Sequence, residues 1–280
     1  MPDYLLRDQA PLTDGEWRLL DDTVIQVASR HLVARRFLSI AGPVGAGVQS
    51  YPSDRYRDGA ARISLFAAEE ENRVHIERRT FVPLPIVYQD FTINWRDLEN
   101  ARRLGVPLDT TGAAIAAATV AGMEDRLLLG GYDEMQQQGL LNAEGRQQLP
   151  LGDWSRAGGG FAAIVSATEA LIAAGFAQPF TVVLPPTLYA RLNRVYDNTA
   201  VLEIDQVRRL VRGGVYVTPA LPADVAVVVA PGPENLDILV AQDLTVAFLE
   251  TTSMEHHFRV LEVLSPRIKR PEAVVVLGQA

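Results

Sequence analysis

Two of the four histidines in this 280-residue chain stand beside a carboxylate, in Glu255-His256-His257. That cluster is where adjacent residues could supply a general acid, a general base or metal ligands. The surrounding residues read as strand, in which neighbouring side chains point to opposite faces. Adjacent imidazoles on opposite faces do not close on one ion, and His31 and His75 could join them only through the fold or another subunit. Turn or surface histidines are the simpler reading, and no metal site is expected. Glu124-Asp125 and Glu69-Glu70-Glu71 are the acidic groupings available for acid–base work. On a helix, Glu124 and Asp125 point about 100° apart, so a salt-bridged helix face accounts for them. Gly158-Gly159-Gly160 precedes an expected helix N-terminus, where an anion can be cradled. It lacks the Lys-Ser/Thr pair of a nucleotide loop, and a flexible lead-in to the helix accounts for it.

Covalent chemistry has little to work with. Cysteine is absent, which removes disulfides, thiolate metal sites and cysteine nucleophiles together. A Schiff base would fall to Lys269, the single lysine, which lies between Arg267 and Arg270. No G-x-S-x-G elbow or Walker loop is present. The residues therefore point away from an enzyme. A formal net charge of −8 disfavours nucleic acid as a partner. The first residues show no basic region followed by an apolar run. The apolar stretches fall short of the ~20 residues a membrane helix needs. A cytoplasmic protein with no membrane contact is expected, and 48% hydrophobic with 21% charged residues suits a folded core.

The elements that would position these residues follow from spacing. Thr13 and Glu16 form a capping box, and Leu12 and Trp17 a hydrophobic staple, at the start of a helix over 14–31. Trp17, Leu20, Val24, Val27 and His31 give it one apolar stripe, and it should end near Arg35-Arg36. Residues 41–47 are glycine-rich and turn-like. Residues 50–80 carry Arg55, Arg57, Arg62, Arg73, Arg78 and Arg79 with little to bury, and read as an extended β-arm whose partners lie on another chain. Strand is expected over 81–95, at a sheet edge because of Pro83 and Pro85. A short helix over 96–104 and a long small-residue helix over 111–129 follow. Residues 132–157 read as loop. Helices are expected over 161–174, 187–196 and 203–212, with strand over 180–184. Strands then fall at 215–218, 225–230, 236–241, 245–250, 257–264 and 273–277. The class is α+β.

Several short runs recur in order: Leu12-Thr13-x-x-Glu16-Trp17, Leu32-Val33-Ala34-Arg35-Arg36-Phe37, Gly42-Pro43, and Asp90-Phe91-x-x-x-Trp95-Arg96-Asp97-Leu98-Glu99. Pro107-Leu108-Asp109, Glu124-Asp125 with Gly130, Pro150-Leu151-Gly152-Asp153-Trp154 and Phe258-Arg259-Val260-Leu261-Glu262 complete them. In these runs, nearly end to end, the chain resembles the encapsulin shell proteins, a bacterial and archaeal family with the HK97 phage-capsid fold. The resemblance implies an HK97 major-capsid-like fold with P-domain, A-domain and E-loop. It divides the chain into an N-terminal cargo-facing helix and arm (1–48), the E-loop (49–82), the P-domain with its spine helix (83–131), the A-domain (132–224) and P-domain return strands (225–280).

By the same resemblance, the function is self-assembly into an icosahedral nanocompartment of 60 subunits or more. It would enclose a cargo enzyme, such as a ferritin-like iron oxidase or a peroxidase, that carries a C-terminal loading peptide. Iron storage and oxidative stress are the associated roles, and any iron chemistry would belong to the cargo. The resemblance implies a cargo-peptide groove at Trp17, Leu20, Val24, Ile25, Arg35 and Ser39. Ser39 departs from the acidic residue of some relatives. The strand over 260–264 would form the other wall. It implies a pore at Tyr196, Asp197, Asn198 and Thr199, where Asp197, with Glu203, could form a cation-favouring ring. It also implies a possible FMN contact at Trp95, although nothing else in the sequence requires flavin. The rival readings are a phage or prophage major capsid protein, and a hydrolase or bacteriocin-like protein.

Overall fold

The computed structural model describes residues 3–57, 63, 74–196 and 200–278. Arg62, Arg73, the Glu69-Glu70-Glu71 run, Asp197, Asn198 and Thr199 lie outside the described residues.

Helix α1 (Asp14–His31) begins at the expected capping box, in which Thr13 N donates to Glu16 Oε2 at 2.7 Å and Glu16 N to Thr13 Oγ1 at 3.3 Å. Its buried stripe is Trp17, Leu20, Val24 and Ala28; His31 is exposed. The helix stops before the arginine pair expected to end it. Asp125 is the physical reason: its carboxylate accepts from Val33 N and Ala34 N at 3.1 and 2.9 Å, which draws the backbone out of the helix. A 3-10 turn, Ala34–Arg36, carries the arginines instead.

The first sheet contains β1 (Ser39–Ala41), β4 (Ile86–Asn94), β9 (Leu236–Thr252) and β10 (Glu255–Ile268), in the order β1-β9-β10-β4. The strand expected over 81–95 is broken at its prolines: residues 81–83 end a separate hairpin strand, and β4, which begins after Pro85, is the edge strand of this sheet. Strand β9 is one strand where two were expected. Gln242 and Asp243 continue it, opposite a register shift between Leu261 and Val263. A bulge tolerates polar residues at a point where the ladder is already interrupted. Helix α2 (Trp95–Leu104) follows β4 and ends on Gly105, whose φ of 66° suits a residue without Cβ.

Helix α3 (Thr111–Gly130) packs on this sheet through Ala113, Ala116, Ala117 and Val120. Phe258 centres the core, stacked on Phe91 at 5.3 Å and edge-on to Trp17 at 5.8 Å.

The second sheet has the order β5-β11-β8-β6-β7 and contains β5 (Gln147–Leu149), β6 (Phe180–Leu184), β7 (Arg212–Val217), β8 (Ala226–Val229) and β11 (Val274–Leu277). Strands β6, β8 and β11 are buried along their whole length, which fits their unbroken apolar runs. Around the sheet are α4 (Gly159–Ala173), α5 (Pro186–Leu192) and α6 (Glu203–Val211). Helix α5 is shorter than expected, ending before Asn193. The topology crosses the expected boundary at 224/225, because β8 and β11 join this second sheet.

Strands β2 (Ser50–Arg57) and β3 (His75–Pro83) form a separate antiparallel hairpin. Arg79 grips Asp54 with two bonds of 2.6 and 2.7 Å. Farther along the ladder, Arg55 and Arg78 face each other across the strands; Arg55 reaches Glu272 at 3.3 Å and Arg78 reaches Glu144 at 3.2 Å. The arginines of this arm, expected to find partners on another chain, thus pair with Asp54, Glu144 and Glu272 of the same chain among the described residues.

Candidate functional site

Arg35 lies where α1, α3 and the first sheet meet. Its Nε donates to both Glu124 oxygens on α3 at 2.8 and 3.1 Å. Its Nη2 donates to Glu262 Oε2 on β10 at 2.9 Å, and its Nη1 to Asp243 Oδ1 on β9 at 2.7 Å. Glu124 and Glu262 are 0% exposed, whereas Asp243 is 68% exposed. Burial works against the Arg35 charge, but Glu124, Asp243 and Glu262 outweigh it and raise its pKa.

Glu124 is salt-bridged, as the sequence suggests for this helix face, but the face is buried. Asp125 is buried as well, and its pKa is pushed up to about 6 by burial, against the pull of the Ala34 and Val33 N–H groups. Sequence reasoning missed Glu262 and Asp243 as partners of Arg35. A signal was present: Glu262 interrupts the apolar run Val260-Leu261-x-Val263-Leu264, and a charge in a buried strand needs a counter-charge.

Of the expected groove residues, Trp17, Leu20 and Val24 belong to the core. Ile25 is 60% exposed and is the one that offers free apolar surface. Ser39 is half-buried at the start of β1, in register with Asp237 of β9. Asp237 is held by Arg267 at 2.7 and 2.6 Å and by Lys269 at 2.8 Å. Lys269 is therefore an ion-pair partner, with its ammonium committed to a carboxylate.

Glu203, considered for a pore ring, is fully buried. Its Oε1 accepts from Phe161 N at 2.8 Å, its Oε2 from Gly158 N at 3.3 Å, and Arg194 Nε approaches it at 3.3 Å. It therefore caps α4 and does not face an opening. The anion cradled by the triple glycine is this internal carboxylate. Gly160 makes the approach possible, because a Cβ there would lie 2.6 Å from Leu192 Cδ2 and 3.2 Å from Glu203 Oε1. Tyr196 lies edge-on to Phe161 at 6.0 Å.

His256 is buried and its Nδ1 lies 2.9 Å from Thr251 Oγ1. Its pKa is lowered, first by burial and then by Arg102 and His257. His257 is one strand position on, facing the other way. Among the described residues no group of three or more potential ligands is placed to hold a metal ion. Trp95 is exposed beside the β9–β10 turn, where its N donates to Met254 O at 3.2 Å. No second aromatic ring lies against it among the described residues, so one chain does not enclose an isoalloxazine there, and no step is derived through flavin.

The chain matches the family Linocin_M18, described as encapsulating protein for peroxidase, over residues 2–265. It is 45% identical over 281 residues to the type 1 encapsulin shell protein EncA of Myxococcus xanthus, covering 100% of this chain and 98% of that protein. It is 38% identical to a diheme-cytochrome-encapsulin shell fusion protein of Kuenenia stuttgartiensis, covering 94% of this chain and 72% of that one. Among solved structures, the virus-like particle from Pyrococcus furiosus aligns with a TM-score of 0.74 at 22% identity, over 94% of this chain and 98% of that one. The capsid of Myoviridae phage XM1 aligns with a TM-score of 0.63 at 14% identity, over 86% and 90%. The fold is the HK97-like capsid fold in its α+β form.

Proposed function

The chain belongs to the Linocin_M18 family of encapsulating proteins, and from that premise we propose that it is the wall subunit of a closed icosahedral compartment that encloses a cargo enzyme. The observation that carries this reading is the full-length identity of 45% to a type 1 encapsulin shell protein. The capsid-like fold supports it, and so does the separate two-stranded hairpin β2–β3. Encapsulin shell proteins are structural, and the catalysis belongs to the cargo.

The chain would act as a homo-oligomer of 60 subunits or more. Residues 49–82 would be the E-loop. The P-domain would take 83–131 and, after the arm at 1–48, the strands β9 and β10 of 225–280, and the A-domain 132–224 together with β8 and β11. The cargo's loading peptide would dock along the outer side of α1. Ile25 would supply the apolar contact, Trp17, Leu20 and Val24 would fix the helix beneath it, and Arg35 and Ser39 would form the polar end. The loop Tyr196-Asp197-Asn198-Thr199 would line a pore, with Asp197 favouring cations. No helix among the described residues is long and apolar enough to cross a membrane, in keeping with a cytoplasmic compartment.

Negative-stain electron microscopy of the protein expressed alone tests the central claim. Uniform closed spheres are expected, and their diameter gives the subunit number. Soluble monomers or dimers would overturn it.

A further inference from the structure

The Arg35 site holds more carboxylates than one guanidinium balances. Nε and Nη2 lie on the same edge of the guanidinium group. Nε donates to Glu124 and Nη2 to Glu262 Oε2 at 2.9 Å, so the two carboxyl groups sit side by side along that edge. Both are fully buried. The second oxygen of Glu262, Oε1, is also buried and has no hydrogen-bond partner among the described residues. Val260 and Leu264, two positions to either side along the strand and so on the same face, are fully buried in the main core. A bare carboxylate oxygen there, next to a second carboxylate, is strongly unfavourable. A proton on Oε1 removes both problems. The oxygen becomes a donor to Glu124, and a single negative charge remains between the two groups to face Arg35.

We propose that Glu124 and Glu262 share one bound proton, forming a buried proton site that couples the packing of α3 on the β9–β10 hairpin to pH. The charged groups facing it are Arg35 from the 3-10 turn, Glu124 and the adjacent Asp125 from α3, and Asp243 from β9. Asp125 is turned to the Val33 and Ala34 N–H groups. Asp243 is bonded to Arg35 and largely exposed, so it stays ionised. Burial, then the Glu124 charge, raises the Glu262 carboxyl well above the ordinary range, in the same sense as the geometry.

The direction of the pH effect follows. The folded chain keeps a proton that an unfolded glutamate releases near its ordinary value of about 4.3. The stabilisation is complete below that value and is lost as pH rises through the raised pKa of the Glu262 carboxyl.

Infrared spectroscopy and thermal unfolding of the full chain test this. A protonated-carboxyl C=O stretch is expected in the wild type at pH about 7, missing from both Glu262→Gln and Glu124→Gln. Glu262→Gln mimics the protonated form. Its melting temperature should equal the wild type's at pH about 5 and exceed it at pH about 9. Asp125→Asn leaves the pair intact, so a band retained in that variant supports the proposal even if neither Gln variant folds. The proposal is overturned if the wild type or Asp125→Asn lacks the band, if the band survives both Gln substitutions, or if both variants melt below the wild type at every pH.

Discussion

Glu203 at the start of α6 closes the N-terminus of α4 by accepting from the backbone N–H of Phe161 at 2.8 Å, 42 residues earlier in the chain. A helix N-terminus carries partial positive charge and unpaired N–H groups. Here both are answered from another helix, and Arg194 balances the carboxylate from the far side.

Removing that carboxylate should be costly. Glu203→Ala strands the α4 N–H groups in a buried site, and a loss of about 3 kcal/mol is expected. Glu203→Gln retains one acceptor and should lose less. Urea unfolding measures the difference, and an Ala variant as stable as the wild type would refute the capping role.

Asp125 makes a separate pH prediction. Its folded-state pKa, pushed up to about 6, lies above that of an unfolded aspartate. Its stabilisation is therefore fully present at low pH and is lost as pH rises through about 6. Asp125→Asn should flatten this part of the melting-temperature profile. An unchanged slope would place the titration elsewhere.

The β9–β10 turn departs from its usual chemistry. Ser253 and Met254 both have positive φ, 51° and 64°, in a two-residue hairpin turn. Such turns favour Asn-Gly, and a side chain costs roughly 1 kcal/mol in this region. Met254→Gly should therefore stabilise the isolated subunit by about 1 kcal/mol. Differential scanning calorimetry of an assembly-deficient variant reads this directly, and a lower transition temperature would contradict it.

Deleting residues 54–78 should abolish closed particles while leaving both sheets folded. Electron microscopy together with circular dichroism separates the two effects. Intact spheres would show that the hairpin is not the element that joins neighbours.

Ile25→Glu should leave shell assembly unchanged and reduce cargo capture at least tenfold, because it places a charge where the proposed groove offers its apolar contact. Co-purification of a reporter carrying the loading peptide provides the readout. Unchanged capture would move the groove away from α1.

Local chemistry was the legible part of this chain. The Thr13–Glu16 box, the Gly105 stop and the apolar runs at 180–184 and 274–277 each mark their element from nearby residues alone. Assignments that depend on distant partners were not legible. Arg35 finds Glu124, Asp243 and Glu262 across 89, 208 and 227 residues, and no local pattern encodes those pairings. Strand β9 was split in two because Gln242-Asp243 looks like a turn until the facing bulge and Arg35 are known. Trp17, Leu20 and Val24 show the same limit at the candidate groove. Their spacing marks an apolar stripe, but only the fold reveals that Ile25 is left outside it.

The chain crosses between the two sheets three times, from β4 through α2 and α3 to β5, from β8 into β9 and from β10 into β11, and Asn235 ties the last two crossings together. Its carbonyl accepts from Lys269 N at 2.9 Å and Arg270 N at 3.0 Å, and its side chain reaches Ala230 O at 3.1 Å. A closed wall under internal pressure carries tension along its surface. In this subunit that load would run from one lobe to the other along three covalent backbones, two of them braced side by side, not through side-chain contacts that can peel apart one at a time. The subunit is thus built as a tie-rod, and under stress the wall should yield between its subunits before it yields within them.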